Sequence, residues 1–471
     1  TAAAVAYREA AALAEGERRF ELRRLQLEQL LRAAELREGM ALANELLAEL
    51  GRTLPVGPRG IAWAVIKQRA ALRLRGKRWK PRAAEQLDAS AVREVDALWS
   101  ISSGLAFANP ALGKVVQLWH LRAALALGER SRIAQALAIE IGYLGVAGSA
   151  THKACRRAGV EAQTLADEIG ESRLVGLVAT CKGFATFLNG QWKQARHDLE
   201  LGHRLMSDEG VSARWELDLN EMFHLAALYY AGETRELVRL TPLYLRDAED
   251  RGDVYAQHGL RAWRSNQAWL VQDKPGDARA HVLGVAQARA DIADFNLHDY
   301  YQLLANAQID LYVGDGDGAL DRTQRSWADL DKAFLFRIQS VRIEAQYLLA
   351  RGALATAVGA RKVERLAVVE RAAAALAGEP VAWSRALAAL VRAGAAHVAG
   401  EVVDADRRYR EAEAALAACD MANFARVAAL ARGELLGGDA GAALIATARA
   451  GLEAQAVVDV GRWTRMILPR P

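Results

Sequence analysis

Apolar residues along this chain recur at three- and four-residue steps within windows of roughly 15 residues, the spacing of one buried helix face. No stretch alternates apolar with polar long enough to read as a strand. The clearest unit runs Gly183, Thr186, Phe187, Gly190, Trp192, Ala195, Leu199, Gly202. A small residue in a first helix admits a second helix closely, a glycine ends the first, and a small residue early in the second packs into the gap. Gly183, Gly190 and Ala195 fit these three places.

The same turn is expected at Gly232, Asp273, Gly314, Gly352 and Gly400, at spacings of 42, 41, 41, 38 and 48 residues from Gly190 onward. The packing position five residues later is held by Leu237, Ala278, Ala319 and Ala405. A period of this length marks stacked helical hairpins. Upstream, Leu22, Leu25, Leu30 and Leu31 share one helix, followed by Gly39 and a second helix ending at Gly51, and a further hairpin turns at Gly128 and Glu129. The pattern predicts an all-α chain: an α-solenoid of about ten tetratricopeptide-like hairpins in a right-handed superhelix. It divides into hairpins over 1–155, regular repeats over 156–352, and terminal repeats with capping helices over 353–471. Irregular stretches are expected at 51–60, 76–92 and 353–379.

Composition agrees. Of 471 residues 52% are hydrophobic, and only 9 are proline. Much of the apolar content is alanine and leucine, which lose little on entering a helix. A chain this long exceeds what a single core usually serves, which favours an elongated array. The 61 basic and 57 acidic residues nearly cancel, so nucleic acid is not an expected partner. No apolar run is long enough to cross a membrane, and the opening residues do not read as a charged-then-apolar signal sequence. Thr1 and the alanines after it read as a cut inside a longer helical protein. Cys155, Cys181 and Cys419 lack metal or redox spacing and read as buried fillers in a reducing cytoplasm.

Catalytic patterns are missing. Gly113-Lys114 lacks the first glycine and the hydroxyl residue of a phosphate loop, and no kinase loop or HExxH occurs. His298, Asp299, Tyr300 and Tyr301 read better as a helix start capped by Asn296 or Asp299 than as a proton-transfer cluster. No cofactor or metal is expected, and no enzyme activity. One segment stands apart in charge: Arg59, Lys67, Arg69, Arg73, Arg75, Lys77, Arg78, Lys80 and Arg82 run without an acid, interleaved with Trp63, Ile66, Leu72, Leu74 and Trp79. Such a segment docks on phosphates, an acidic protein or a membrane face, unless it is a solvated helix whose arginine stems cover apolar surface.

Counting back from each turn places Trp263 and Gln267, Tyr301 and Gln308, and Arg342 and Gln346 on the inner wall of the superhelix, with Tyr229 and Met222 one unit earlier. A concave groove of aromatics, arginine and glutamine suits a protein or peptide partner, or a small polar ligand. Packing between repeats is the competing reading, with the arginine paired to an acid such as Glu344 or Asp310.

Five segments carry a resemblance: residues 98–129 (LWSISSGLAFANPALGKVVQLWHLRAALALGE), 215–223 (WELDLNEMF), 295–315 (FNLHDYYQLLANAQIDLYVGD), 336–354 (FRIQSVRIEAQYLLARGAL) and 418–455. They resemble the helical-repeat tail of large bacterial serine/threonine protein kinases of the myxobacterial kind, in which a kinase domain and an ATPase-like module precede the tail. The resemblance covers about residues 10 to 468 and implies a sensing or docking role beside a kinase. It carries no catalytic residue onto this chain. A related architecture is the helical-repeat sensor of signal-transducing ATPase regulators, which implies an inducer-binding role as the alternative.

Overall fold

The computed structural model describes residues 2–32, 35–76, 78–207, 214–288 and 295–470; these are helical almost throughout, with no strand among them. Helices adjacent in sequence pack as antiparallel pairs. In the pair Ser172–Leu188 and Trp192–Ser207, Gly176 lies against Met206, Thr180 against Gly202 and Gly183 against Leu199. One partner number rises as the other falls, which defines a hairpin. A Cβ on Gly183 would stand 2.6 Å from Leu199, so the missing side chain is what lets the two axes close.

The expected turns at Gly190, Gly232, Gly314 and Gly400 are present, each in the left-handed region with φ between 78° and 90°. Asp273 makes the same turn at φ 56°, a conformation that costs a side-chain-bearing residue something glycine avoids. Ala195, Leu237, Ala278, Ala319 and Ala405 are all fully buried at the predicted packing position. Gly352 is different: it lies inside the helix Gln339–Ala355, where it admits the backbone of Leu320. The chain turns at Thr356 instead, 42 residues after Gly314 and 44 before Gly400, so the uneven spacing disappears. Gly39 likewise sits within the helix Leu36–Glu49 rather than ahead of it. Residues 362–378 of the stretch expected to be irregular form a helix.

The helix ahead of the Asp273 turn is broken. Val254–Arg261 ends, Ala262 is extended, Trp263 adopts φ 51°, and the helix resumes only at Gln267–Val271. Ser265 Oγ donates to the carbonyls of Gly259 and Ala262, and Asn266 Nδ2 to those of Arg261 and Ala278. Serine and asparagine side chains thus take over the Gly259, Arg261 and Ala262 carbonyls at the interrupted end, and Asn266 also ties it to the following helix at Ala278. The break turns Arg264 into the interior.

The largest core cluster runs from Phe187 to Leu468 and joins segments far apart in sequence. Trp192 stacks on Tyr230 at 4.3 Å and meets Trp383 edge-on at 5.4 Å, while Tyr229 meets Phe424 and Trp463. Lys193 pairs with Asp420 at 2.6 Å. The final helix, Val460–Ile467, is held by Tyr347 donating to the carbonyl of Ile467 and Arg351 to that of Met466. Residues 190–193 and 229–234 therefore pack directly on residues 383–468.

Candidate binding site

The predicted groove residues are mostly interior. Tyr229, Trp263 and Tyr301 are buried, and Gln267 and Gln308 are fully so. Trp263 stacks on Tyr301 at 5.0 Å and presents its edge to Phe187 and Phe223. Both amide ends of Gln267 and of Gln308 lack a hydrogen-bond partner in the protein. Met222 is buried as well. Arg342 is half-buried and clamps Glu379, with a further bond to the carbonyl of Phe336. Gln346 is half-buried. These side chains do not line an open wall: Tyr229 packs on Phe424 and Trp463, Trp263 packs among Phe187, Phe223 and Tyr301, and Arg342 is taken up by Glu379. Asn296 caps the helix Leu297–Val313 in a reciprocal box with Asp299, as expected.

At the centre lies a polar cluster that local patterning did not indicate. Glu344 pairs with Arg264 at 2.8 Å, and Tyr230 and Tyr300 each donate a hydroxyl to one of its oxygens. Arg264 also donates to Tyr230 Oη at 2.6 Å, its guanidinium lying 5.0 and 4.9 Å from the ring centres of Tyr229 and Tyr230. Burial holds the pKa of both Tyr230 and Tyr300 well above the ordinary phenol, and the Glu344 charge raises them further. They remain hydrogen-bond donors. Burial works against the Arg264 cation, but Glu344 together with Tyr229, Tyr230 and Tyr300 outweighs it and holds the guanidinium charged. The one local hint was Ser265-Asn266 inside an apolar helix; nothing in the sequence pointed to its partner 80 residues away.

Beside this cluster is a cavity of about 100 Å³. Its lining is mainly apolar, including Phe184, Phe223, Trp263, Leu297, Tyr301 and Val341, with Glu344 and Tyr300 at its polar margin. The distant thiol Cys181 also borders it, and burial pushes that thiol's pKa up, so it stays protonated.

A second, larger space lies in the amino-terminal half. It measures about 390 Å³ and is lined by five helices: Gly16–Arg32, Ala89–Ala108, Arg130–Gly145, Ser172–Leu188 and Arg214–Ala231. Its walls carry Trp99 and Trp215, three arginines (Arg24, Arg132, Arg173) and five acids (Glu28, Asp96, Glu129, Glu171, Glu216). Arg132 grips Asp96 through two bonds of 2.7 and 2.8 Å, and Arg24 binds Glu21, Glu28 and Ser100. Arg173 reaches Glu216 only at 3.4 Å and keeps an unpartnered Nε, and the buried Ser103 Oγ is likewise unpartnered. The acids exceed the arginines by two, so the cleft favours a cationic guest. Among the described residues no cluster of His, Cys, Asp and Glu is placed to hold a metal ion, and no helix is long and apolar enough to cross a membrane.

No family model matches this chain. No curated protein matches it either.

Proposed function

We propose that this chain is a non-catalytic interaction and sensor scaffold, an α-solenoid of tetratricopeptide-like hairpins that takes a segment of a partner protein into its amino-terminal cleft. The carrying observation is the cleft itself: five helices present two tryptophans and a surplus of carboxylates to one open space. Aromatic anchors within a charged rim are what peptide recognition uses, and the surplus selects a segment containing lysine or arginine. The resemblance over residues 98–129 and 418–455 supplies the setting, the regulatory tail of a bacterial serine/threonine kinase acting in the cytoplasm. Selection from a displayed random-peptide library should enrich basic sequences that bind the wild type and not a Trp99→Ala/Trp215→Ala variant. Enrichment of sequences indifferent to both tryptophans would sink the proposal.

The cavity beside Glu344 favours a second reading, a receptor for a small inducer. At about 100 Å³ it accepts little more than a single aromatic ring, with Tyr300 and Glu344 available to a polar substituent. A thermal-shift panel of small aromatic compounds discriminates the two, since a ligand that binds only the folded state raises the midpoint by mass action. A shift abolished by Val341→Phe, which fills the cavity, would favour the inducer reading.

A further inference from the structure

The helix Gly57–Arg75 has two dissimilar faces. Ile61, Ala64, Val65 and Leu72 pack on the cores beneath it, and Arg69 pairs inward with Glu140. The opposite stripe, at helical spacing, is Arg59, Ala62, Trp63, Ile66, Lys67, Ala70, Arg73 and Leu74, all exposed. Trp63 is 67% exposed, Ile66 59% and Leu74 90%. Arginine stems therefore do not cover the apolar groups, as an ordinary solvated helix would require. Beyond the helix, Arg75, Arg78, Lys80 and Arg82 are exposed too. With Arg59, Lys67 and Arg73 they make seven cations, none of which pairs with a carboxylate among the described residues. This trailing segment is anchored: Trp79 packs into the core, and the Arg82 amide donates to the carbonyl of Gly128 at 3.0 Å.

We propose that this face docks on the surface of a lipid bilayer carrying anionic headgroups. The chemistry is complementary in both parts. Cations along the stripe and its tail meet the negative surface potential, and Trp63, Ile66 and Leu74 enter the boundary between headgroups and acyl chains, where an indole is well accommodated. A polyanion such as nucleic acid would use the charges but offers nothing to an aligned isoleucine and leucine. A protein partner is disfavoured by size. From Arg59 to Leu74 the stripe is roughly 22 Å long and about one helix wide, far short of the ~800 Å² a side that a stable protein complex buries. A bilayer needs no such area from one helix, because each cation near the surface adds its own increment.

The test is flotation of the full chain with vesicles of phosphatidylcholine alone and of phosphatidylcholine with phosphatidylserine at about two to one. Flotation is expected with the mixed vesicles only, and raised salt should release the protein. Trp63→Ser/Ile66→Ser/Leu74→Ser and, separately, Arg59→Glu/Lys67→Glu/Arg73→Glu should each lower the bound fraction at least tenfold, roughly, while Arg59→Lys/Arg73→Lys retains it. All the substituted side chains are exposed, so the circular dichroism melts of these variants should overlay the wild type. Absence of flotation on the mixed vesicles would overturn the proposal. So would flotation unchanged by the apolar triple, which would reduce the segment to a surface for polyanions in general.

Discussion

The amino-terminal cleft and the carboxyl-terminal core are built from the same element, an antiparallel helix pair, yet one ends open and polar and the other closed and aromatic. In the cleft Arg24 with Glu28 and Arg132 with Asp96 form part-exposed pairs at the rim, beside an exposed Glu171 that accepts from Ser131. In the core the corresponding space is filled by Trp192, Tyr229, Tyr230, Trp383, Phe424 and Trp463, ring against ring. Charged groups that keep some water resist closure, because full burial would strip their hydration for pairs that rarely return the whole cost. Aromatic faces gain from closure at every contact. The ion pair of Arg264 with Glu344, both members of which are buried in the closed region, has its coordination completed by two tyrosine hydroxyls.

The largest expected effect comes from that pair. Glu344→Gln keeps the shape and removes the charge, leaving Arg264 buried without an anion, and should cost about 3–5 kcal/mol in denaturant-melt stability. Glu28→Gln, which removes one of the two acids that pair with Arg24 in the cleft, should cost no more than about 1 kcal/mol. Equal losses at the two sites would break the contrast between closed and open regions.

A second effect sits where the two regions join, on the helix Arg214–Ala231. Burial and the neighbouring Asp253 push the Asp218 carboxyl up to about 8 despite the Arg251 guanidinium 2.9 Å away. The folded protein thus holds a proton that the unfolded chain releases near pH 4, so this group's contribution to stability declines as pH rises from about 4 to 8. Asp218→Asn lacks that decline. Its stability relative to wild type should grow with pH across that window, by at most about 1.4 kcal/mol per unit, and level off above it. A pH-independent difference in melting would show that Asp218 ionises normally. His120 acts in the opposite direction: burial lowers its pKa to about 3, so its contribution is lost as pH falls below about 6.5.

The smallest effect on folding is expected in the cleft wall. Trp99→Ala, at a half-buried site, should cost only about 1–2 kcal/mol in stability. It should cost about 2 kcal/mol or more in affinity for a peptide selected on the wild type. A large stability loss with unchanged affinity would make Trp99 a packing residue and remove one anchor from the proposed site.

Local structure was legible in the residues themselves. Glycine at 190, 232, 314 and 400 fixes where helices stop, because these turns need a left-handed residue, and Ala195, Ala278, Ala319 and Ala405 mark where the next helix presses in. Gly352 and Gly39 misled for the same local reason: a glycine inside a helix, serving a close approach, has the same one-letter signature as a glycine that ends one. Which inner faces stay open was decided only in three dimensions. Tyr229, Trp263 and Tyr301 look like groove residues from their register, yet Tyr229 is covered by Phe424 and Trp463, and Trp263 packs among Phe187, Phe223 and Tyr301. The partnership of Arg264 with Glu344 depends on a helix break and on a contact spanning 80 residues. Local propensity acts over a few residues, whereas such contacts join helices far apart in the chain, which no single segment specifies.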